Sequence, residues 1–161
     1  MRELLLLRHG KSDWPPNMPD FERTLTRRGK ESAALVGGWL RDEEHVPDYI
    51  VTSPARRAID TAKRVAKTLG ISNDEIIEEP RLYHADPQTI LAVARDQPDM
   101  GQRVLLVGHN PGMESFYGAV SGVLEPFETA ALGILQFEGE WADFTPDNAS
   151  AMPLIRPRGQ N

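Results

Sequence analysis

The chain has 161 residues, of which 40% are hydrophobic and 26% charged, and this size and composition predict one folded domain covering residues 1–161. Its formal net charge of −6 argues against general nucleic-acid binding, and no stretch approaches the roughly 20 apolar residues of a membrane span. The lack of cysteine excludes thiolate nucleophiles, disulfides and thiolate metal sites, and it fits the reducing cytoplasm, where we expect the protein to act.

Strands that alternate with helices are predicted for most of the chain. Short apolar runs predict strands at Leu4–Leu7, Tyr49–Val51, Ile76–Ile77 and Arg103–Val107. Helical spacing predicts helices from Leu25 to about Arg41 and over Ala55–Leu69, Pro87–Arg95 and Met113–Val120, with Thr26 and Asp86 as N-caps and Gly70 ending the second helix. This alternation predicts a parallel sheet with helices on both faces.

The remaining segments are a loop, two late strands and a tail. Three prolines and an asparagine predict a loop over Asp13–Glu22. Leu132–Phe137 and Ala151–Ile155 predict strands with no helix between them, which favours an antiparallel edge. Arg156–Gly159 predicts a frayed tail. The predicted fold class is therefore α/β, with three α/β/α layers, a mostly parallel central sheet and an antiparallel edge strand.

Three of the predicted parallel strands end in chemically similar loops. The first is followed by Arg8-His9-Gly10, the second by Thr52–Arg57, and the fourth by Gly108–Pro111 with His109. The carboxyl ends of parallel strands meet at one rim of the sheet, so these side chains should converge. Guanidinium groups match a phosphoryl group bidentately, one neutral imidazole can attack phosphorus, and a second can stabilise the developing charge. The helix after Pro54 adds backbone N–H groups.

The same residues admit other interpretations. Gly10-Lys11-Ser12 matches the end of a P-loop, but the first glycine of that motif would fall on Leu5, inside the strand. His9, His84 and His109 could form a three-histidine zinc site, but they lack close helical pairing, and neighbouring arginines would repel a cation. Each loop taken alone is typical of an ordinary turn or a solvent-exposed surface. We predict no role for His45. We predict no metal and no cofactor.

Taken together, the motifs resemble those of a known family. Leu6-Leu7-Arg8-His9-Gly10, Leu25-Thr26-x-x-Gly29, Thr52-Ser53-Pro54-x-x-Arg57-Ala58-x-x-Thr61 and Gly108-His109-Asn110-Pro111 resemble the histidine phosphatase superfamily over nearly the whole chain, including the closing Arg-Pro-Arg. The short length and the Asn-Pro after the second histidine resemble its SixA-like phosphohistidine phosphatase branch. The resemblance implies a phosphoglycerate-mutase-like fold.

The resemblance also implies roles for particular residues. His9 would be the nucleophile, and Arg8, Arg57 and His109 would form the phosphate pocket. Arg57 is chosen over Arg56 because the family pattern places the arginine directly before Ala58. Ser12 is a candidate phosphate contact.

The chain departs from the family pattern at the general acid. Phosphomonoesterases and mutases of the superfamily carry a carboxylate after an Arg-Leu-x sequence, where this chain has Arg81-Leu82-Tyr83-His84-Ala85-Asp86. His84 holds the acid position and is a candidate substrate-binding residue. Whether His84 or Asp86 donates a proton stays open.

The predicted function is a metal-independent phosphatase that works through a phosphohistidine intermediate on His9. The missing carboxylate favours phosphohistidine in a protein as substrate, because imidazole leaves phosphorus more easily than an alkoxide. The alternatives are a small-molecule phosphomonoesterase of the same superfamily and a phosphate-binding regulatory module without turnover. The partner would be a phosphorylated protein or small phosphorylated substrate, not nucleic acid or membrane, and we expect a monomer.

Overall fold

A six-stranded sheet forms the centre of the computed structural model, which describes residues 1–158. The strands are β1 (Arg2–Arg8), β2 (Tyr49–Thr52), β3 (Ile76–Glu78), β4 (Arg103–Gly108), β5 (Leu132–Phe137) and β6 (Ala149–Ala151). In the sheet they lie in the order β3-β2-β4-β1-β5-β6. The first four are mutually parallel, whereas β5 runs antiparallel to β1 and β6 antiparallel to β5. The predicted fold class is confirmed.

Four helices cover the two faces of this sheet. They are α1 (Arg27–Asp42), α2 (Arg56–Leu69), α3 (Pro87–Arg95) and α4 (Gly112–Ser121). The predicted caps are confirmed, since the Thr26 side chain accepts the N–H of Gly29, Asp86 accepts that of Thr89, and Gly70 ends α2 in a left-handed conformation. No helix within residues 1–158 is long and apolar enough to cross a membrane.

Strand β1 lies between two apolar layers. Leu4 and Leu6 pack with residues of α3 and α4, and Leu5 and Leu7 pack with residues of α1 and α2 on the opposite face. All four leucines are fully buried, which stabilises the fold by about 1.5–3 kcal/mol for each side chain. Burial on both faces explains why the run is continuously apolar.

The prediction of a strand over Ala151–Ile155 is wrong. The ladder of β6 ends at Ala151, and beyond it only Ile155 pairs with Leu132 in an isolated bridge. Met152 and Ile155 still donate their N–H groups to β5, but Pro153 has no N–H to donate, so regular pairing is interrupted there.

The prediction of a frayed tail is also wrong as far as Arg158. Nε of Arg156 lies 2.8 and 3.0 Å from the two carboxylate oxygens of Glu128, and Nε of Arg158 donates to Ser32 Oγ over 2.7 Å. These long side chains anchor the segment to the body of the protein. Gly159, the last residue of the predicted tail, lies outside the described residues.

Two glycines allow the loop after β1 to pack directly on the first turn of α1. A Cβ on Gly29 would lie 2.2 Å from the carbonyl oxygen of Lys11, and one on Gly10 would lie 2.6 Å from the carbonyl oxygen of Gly29. Both obstacles are backbone atoms, which cannot rotate away. The Leu-Thr-x-x-Gly motif therefore fixes the loop that carries His9.

We predict opposite effects on stability for two glycine substitutions in α1. Gly29→Ala should lower the free energy of unfolding by at least about 1 kcal/mol, because of its backbone clash. Gly38→Ala should raise it by about 0.5–1 kcal/mol, because alanine favours a helix and the nearest atom is 3.6 Å away, on the Arg41 side chain. Urea unfolding of both variants checks this, and equal stabilities would contradict the role given to Gly29.

Candidate active site

A pocket of about 310 Å³ lies at the carboxyl ends of β1, β2 and β4. The strand register pairs Arg8 with Gly108 and Thr52 with Val107, so the three strand ends lie side by side. The residues that line the pocket are Arg8, His9, Lys11, Ser12, Trp14, Asp20, Arg23, Arg57, His84, His109, Asn110 and Thr129. All six residues predicted for the site are among them.

His9 is buried, with one ring nitrogen bound to the backbone. Its Nδ1 lies 2.7 Å from the carbonyl oxygen of Gly10, which can only accept a hydrogen bond, so Nδ1 carries the proton. The lone pair is then on Nε2, which accepts from Nε of Arg57 over 3.4 Å. Burial lowers the pKa of His9 to about 3, assisted by the charges of Arg57 and Arg8, although the bond to Gly10 opposes the shift. His9 is therefore neutral at physiological pH.

The two neighbouring arginines of α2 point in different directions. Arg57 is 3% exposed and lies in the pocket, whereas Arg56 lies on the surface and pairs with Asp60. Thr61 connects Arg57 to the histidine loop, because its hydroxyl donates to the carbonyl of Arg57 over 2.8 Å and accepts the N–H of Gly10 over 3.0 Å.

Arg8 and His109 each keep one buried nitrogen without a hydrogen-bond partner in the described structure, namely Nε of Arg8 and Nδ1 of His109. Nη1 of Arg8 donates to the carbonyl of Phe127 over 3.2 Å, and Nε2 of His109 lies 2.8 Å from Ser53 Oγ. Unpaired buried nitrogens are costly, and an anion in the pocket would satisfy donors of this kind. Burial lowers the pKa of His109 to about 3, as do the neighbouring His9 and Arg57.

Ser12 and His84 line the pocket, and among the described residues neither has a hydrogen bond to His9. Ser12 is buried, and its hydroxyl accepts a hydrogen bond from Nη2 of Arg23. His84 is more exposed, and its Nε2 lies 3.2 Å from Oδ2 of Asp20. Asp86, the other acid considered from the sequence, does not line the pocket; its carboxylate instead caps α3.

Asp20 and Arg23 also belong to the site but were not predicted from the sequence; they lie at or beside the end of the segment predicted only as a loop. Residues 20–22 form a short 3-10 turn, and the Asp20 carboxylate is bonded to Arg23, Arg57, Tyr83 and His84. The Asp-x-x-Arg spacing of Asp20 and Arg23 was the available signal, because residues three apart can pair across one helical turn.

The three histidines of the zinc alternative do lie together. The ring centroid of His109 is 5.2 Å from that of His9 and 5.5 Å from that of His84. Among residues 1–158, no three His, Asp or Glu side chains are arranged to hold a metal ion. Independence of metal stays a prediction.

A family model and a bacterial relative establish the family of the chain. Residues 4–88 match the model of the histidine phosphatase superfamily (branch 1). An uncharacterised protein of Mycobacterium tuberculosis is 33% identical over 163 aligned positions, which cover 94% of this chain and 100% of the relative. The chain belongs to the histidine phosphatase superfamily, whose members are generally phosphohydrolases.

Solved structures show the same fold over nearly the whole chain. A structure from Agrobacterium tumefaciens, provisionally described as the phosphohistidine phosphatase SixA, is 28% identical with a TM-score of 0.80, covering 96% of this chain and 97% of its own. The protein histidine phosphatase SixA complexed with tungstate has a TM-score of 0.82 at 19% identity, covering 97% of each chain, and it shows the fold alone. The phosphoglycerate-mutase-like, SixA-like architecture is confirmed.

The buried His9 predicts a pH dependence of stability. Its pKa is near 6.5 in the unfolded chain and about 3 in the folded protein, so only the unfolded chain takes up a proton as the pH falls below 6.5. The free energy of unfolding should therefore fall, by at most about 1.4 kcal/mol per pH unit from this group. Urea unfolding from pH 7 to 4 should show a shallower fall for His9→Gln. Parallel curves for the two proteins would mean that His9 titrates normally.

Proposed function

We propose that the chain is a metal-independent phosphatase that forms a phosphohistidine intermediate on His9, and that its substrate is phosphohistidine in a protein. The observation that carries the proposal is the state of His9, whose Nδ1–H is held by a carbonyl and whose Nε2 lone pair faces Arg57 in a cationic pocket. Such an imidazole is a nucleophile at neutral pH without prior loss of a proton.

The reaction consists of two displacements at phosphorus. In the first, the lone pair on His9 Nε2 forms the N–P bond while the bond from phosphorus to the leaving group breaks, and the leaving group keeps the electron pair. In the second, water attacks phosphorus, the N–P bond breaks, and the water proton leaves with inorganic phosphate. His9 is neutral again at the end.

Arg8, Arg57 and His109 would stabilise the phosphoryl oxygens. Ser53 Oγ already accepts the N–H of Ala55 over 3.2 Å, so its hydroxyl can donate to Nε2 of His109. We therefore assign the remaining proton of neutral His109 to the unpartnered Nδ1. This gives the pocket an imidazole N–H donor beside the two guanidinium groups, and preorganised donors of this kind stabilise charge that develops in the transition state.

The substrate proposal rests on the lack of a suitable general acid. Hydrogen bonds from Tyr83, Arg23 and Arg57 outweigh partial burial and hold the pKa of Asp20 well below its ordinary value, so this carboxylate has no proton to donate. Asp86 caps a helix outside the pocket. Alkyl phosphates need such an acid, typically for about 10²–10⁴-fold in rate, whereas phosphohistidine expels an imidazole that can carry its own proton.

His84 supports the second candidate, a small-molecule phosphomonoesterase. Its imidazole lines the pocket and contacts Asp20, so a proton donor could act from this position.

Trapping the intermediate tests the chemistry. Wild-type protein mixed with a radiolabelled aryl phosphate should acquire an acid-labile, base-stable label, because a phosphoimidazole has those properties. His9→Ala should neither be labelled nor turn over substrate, and a chelator should leave wild-type turnover intact. An acid-stable label would exclude the mechanism, and absence of turnover would favour the regulatory-module alternative.

A substrate comparison tests the leaving-group argument. Phosphohistidine protein and activated aryl phosphates should be hydrolysed at least about 10²-fold faster than serine or sugar phosphates, which lack a good leaving group. His84→Ala should change phosphohistidine hydrolysis less than twofold. If sugar phosphates are equally good substrates and His84→Ala abolishes their hydrolysis, the phosphomonoesterase candidate is correct instead.

A further inference from the structure

Asp20 holds one edge of the Arg57 guanidinium. Nη1 of Arg57 donates to the backbone carbonyl of Asp20 over 2.7 Å, and Nη2 donates to Oδ2 of the same residue over 3.0 Å. Asp20 therefore accepts hydrogen bonds from both terminal nitrogens of the Arg57 guanidinium. The other edge, which carries Nε, is turned toward Nε2 of His9. A planar guanidinium held at one edge has its other edge fixed in direction.

The same carboxylate also connects three other side chains around the pocket. Oδ1 accepts from Nη1 of Arg23 over 2.9 Å, and Oδ2 accepts from the Tyr83 hydroxyl over 2.7 Å as well as contacting His84. About four lone-pair positions are available on a carboxylate, so Asp20 has little capacity left for a substrate. These contacts fix its position from both sides of the pocket.

Charge balance gives Asp20 a second reason to stay in place. Arg23 and Arg57 are both buried, and Asp20 is the one carboxylate among the described residues that line the pocket. Buried charges are stable only when they are paired. The low pKa of Asp20 means that this compensation persists at every physiological pH.

We propose that Asp20 is a positioning residue for the phosphoryl-transfer site: it orients Arg57 so that the Nε edge of the guanidinium faces the phosphoryl group on His9. The proposal rests on the proposed function, in which Arg57 stabilises the transferred group. A positioning role differs from that of a general acid, which an ionised carboxylate cannot fill. It also differs from a role in which Asp20 competes with the phosphoryl group for Arg57, because Asp20 would then have to leave Arg57 before the phosphoryl group could bind.

A double-mutant cycle tests whether Asp20 acts through Arg57. Asp20→Ala should lower kcat for an aryl phosphate by about 10–100-fold in otherwise unchanged protein, which is less than the 10²–10³-fold expected for losing a preorganised donor itself. In the Arg57→Ala background the same change should have less than a twofold effect, because the group that Asp20 positions is already absent. KM should change less than kcat. Glu22→Gln, a charge-removing control in the same turn, should leave both constants unchanged.

Binding of tungstate, a tetrahedral oxyanion, allows the same double-mutant cycle to be measured without catalytic turnover. Its Kd, measured by calorimetry, should rise about tenfold in Asp20→Ala and should not change further when Asp20→Ala is added to Arg57→Ala. If wild-type protein binds tungstate with this pattern but hydrolyses nothing, the proposed function fails and the positioning role stands.

Chemical rescue separates positioning from folding. Guanidinium ion, at a concentration that does not denature the protein, should restore part of the activity of Arg57→Ala, and the restoration should disappear in Asp20→Ala/Arg57→Ala. If Asp20→Ala unfolds the protein, Asp20→Asn takes its place: it removes the negative charge and one of the two carboxylate oxygens, so it should lower kcat by less than tenfold in wild-type protein and by less than twofold in the Arg57→Ala background. The proposal is overturned if Asp20→Ala lowers kcat equally in wild-type protein and in Arg57→Ala. It is also overturned if guanidinium rescue does not require Asp20, or if tungstate binds more tightly to Asp20→Ala than to wild-type protein.

Discussion

The hydrogen bond between Nδ1–H of His9 and the carbonyl of Gly10 determines the chemical state of the site. It places the proton on one ring nitrogen and the lone pair on the other, and burial beside Arg57 and Arg8 keeps the ring neutral. The loop after β1, which carries both residues, is held tightly. Backbone contact with Gly29 constrains that loop on one side, and the hydroxyl of Thr61 binds it on the other.

The site gathers buried positive charge in a protein whose net charge is −6. Arg23 and Arg57 are both buried beside the neutral histidines His9 and His109. Isolated buried cations are unfavourable, so this arrangement requires compensation. Asp20 supplies part of it from within the protein. In the proposed function a phosphoryl group supplies the rest, at the nitrogens of Arg8 and His109 that have no partner among the described residues. Under that proposal, stability without a ligand and affinity for an anion depend on the same few charges.

Family membership and substrate rest on different kinds of support. The superfamily follows from the match over residues 4–88 and from the M. tuberculosis relative, which is itself uncharacterised. The proposed substrate follows from the motif resemblance, in which phosphomonoesterases carry a carboxylate where this chain has His84. A site that lacks a strong acid favours leaving groups that need no proton from the protein, and an imidazole that carries its own proton is one of them.

The sequence by itself determined the sheet, the helix caps and the convergence of His9, Arg57 and His109. Each depends on a local pattern. A doubly buried leucine run predicts the central strand, capping residues mark the helix ends, and loops that directly follow parallel strands meet at one rim. Pro153, which interrupts pairing after β6, was also available from the sequence, but the anchoring of Arg156 and Arg158 was not, because it depends on the distant partners Glu128 and Ser32. Only the tertiary structure decided the contacts of the Asp20 carboxylate with Arg57, Tyr83 and His84, at sequence separations of 37, 63 and 64. Contacts over such distances are decided by how the chain folds, and no local pattern encodes them.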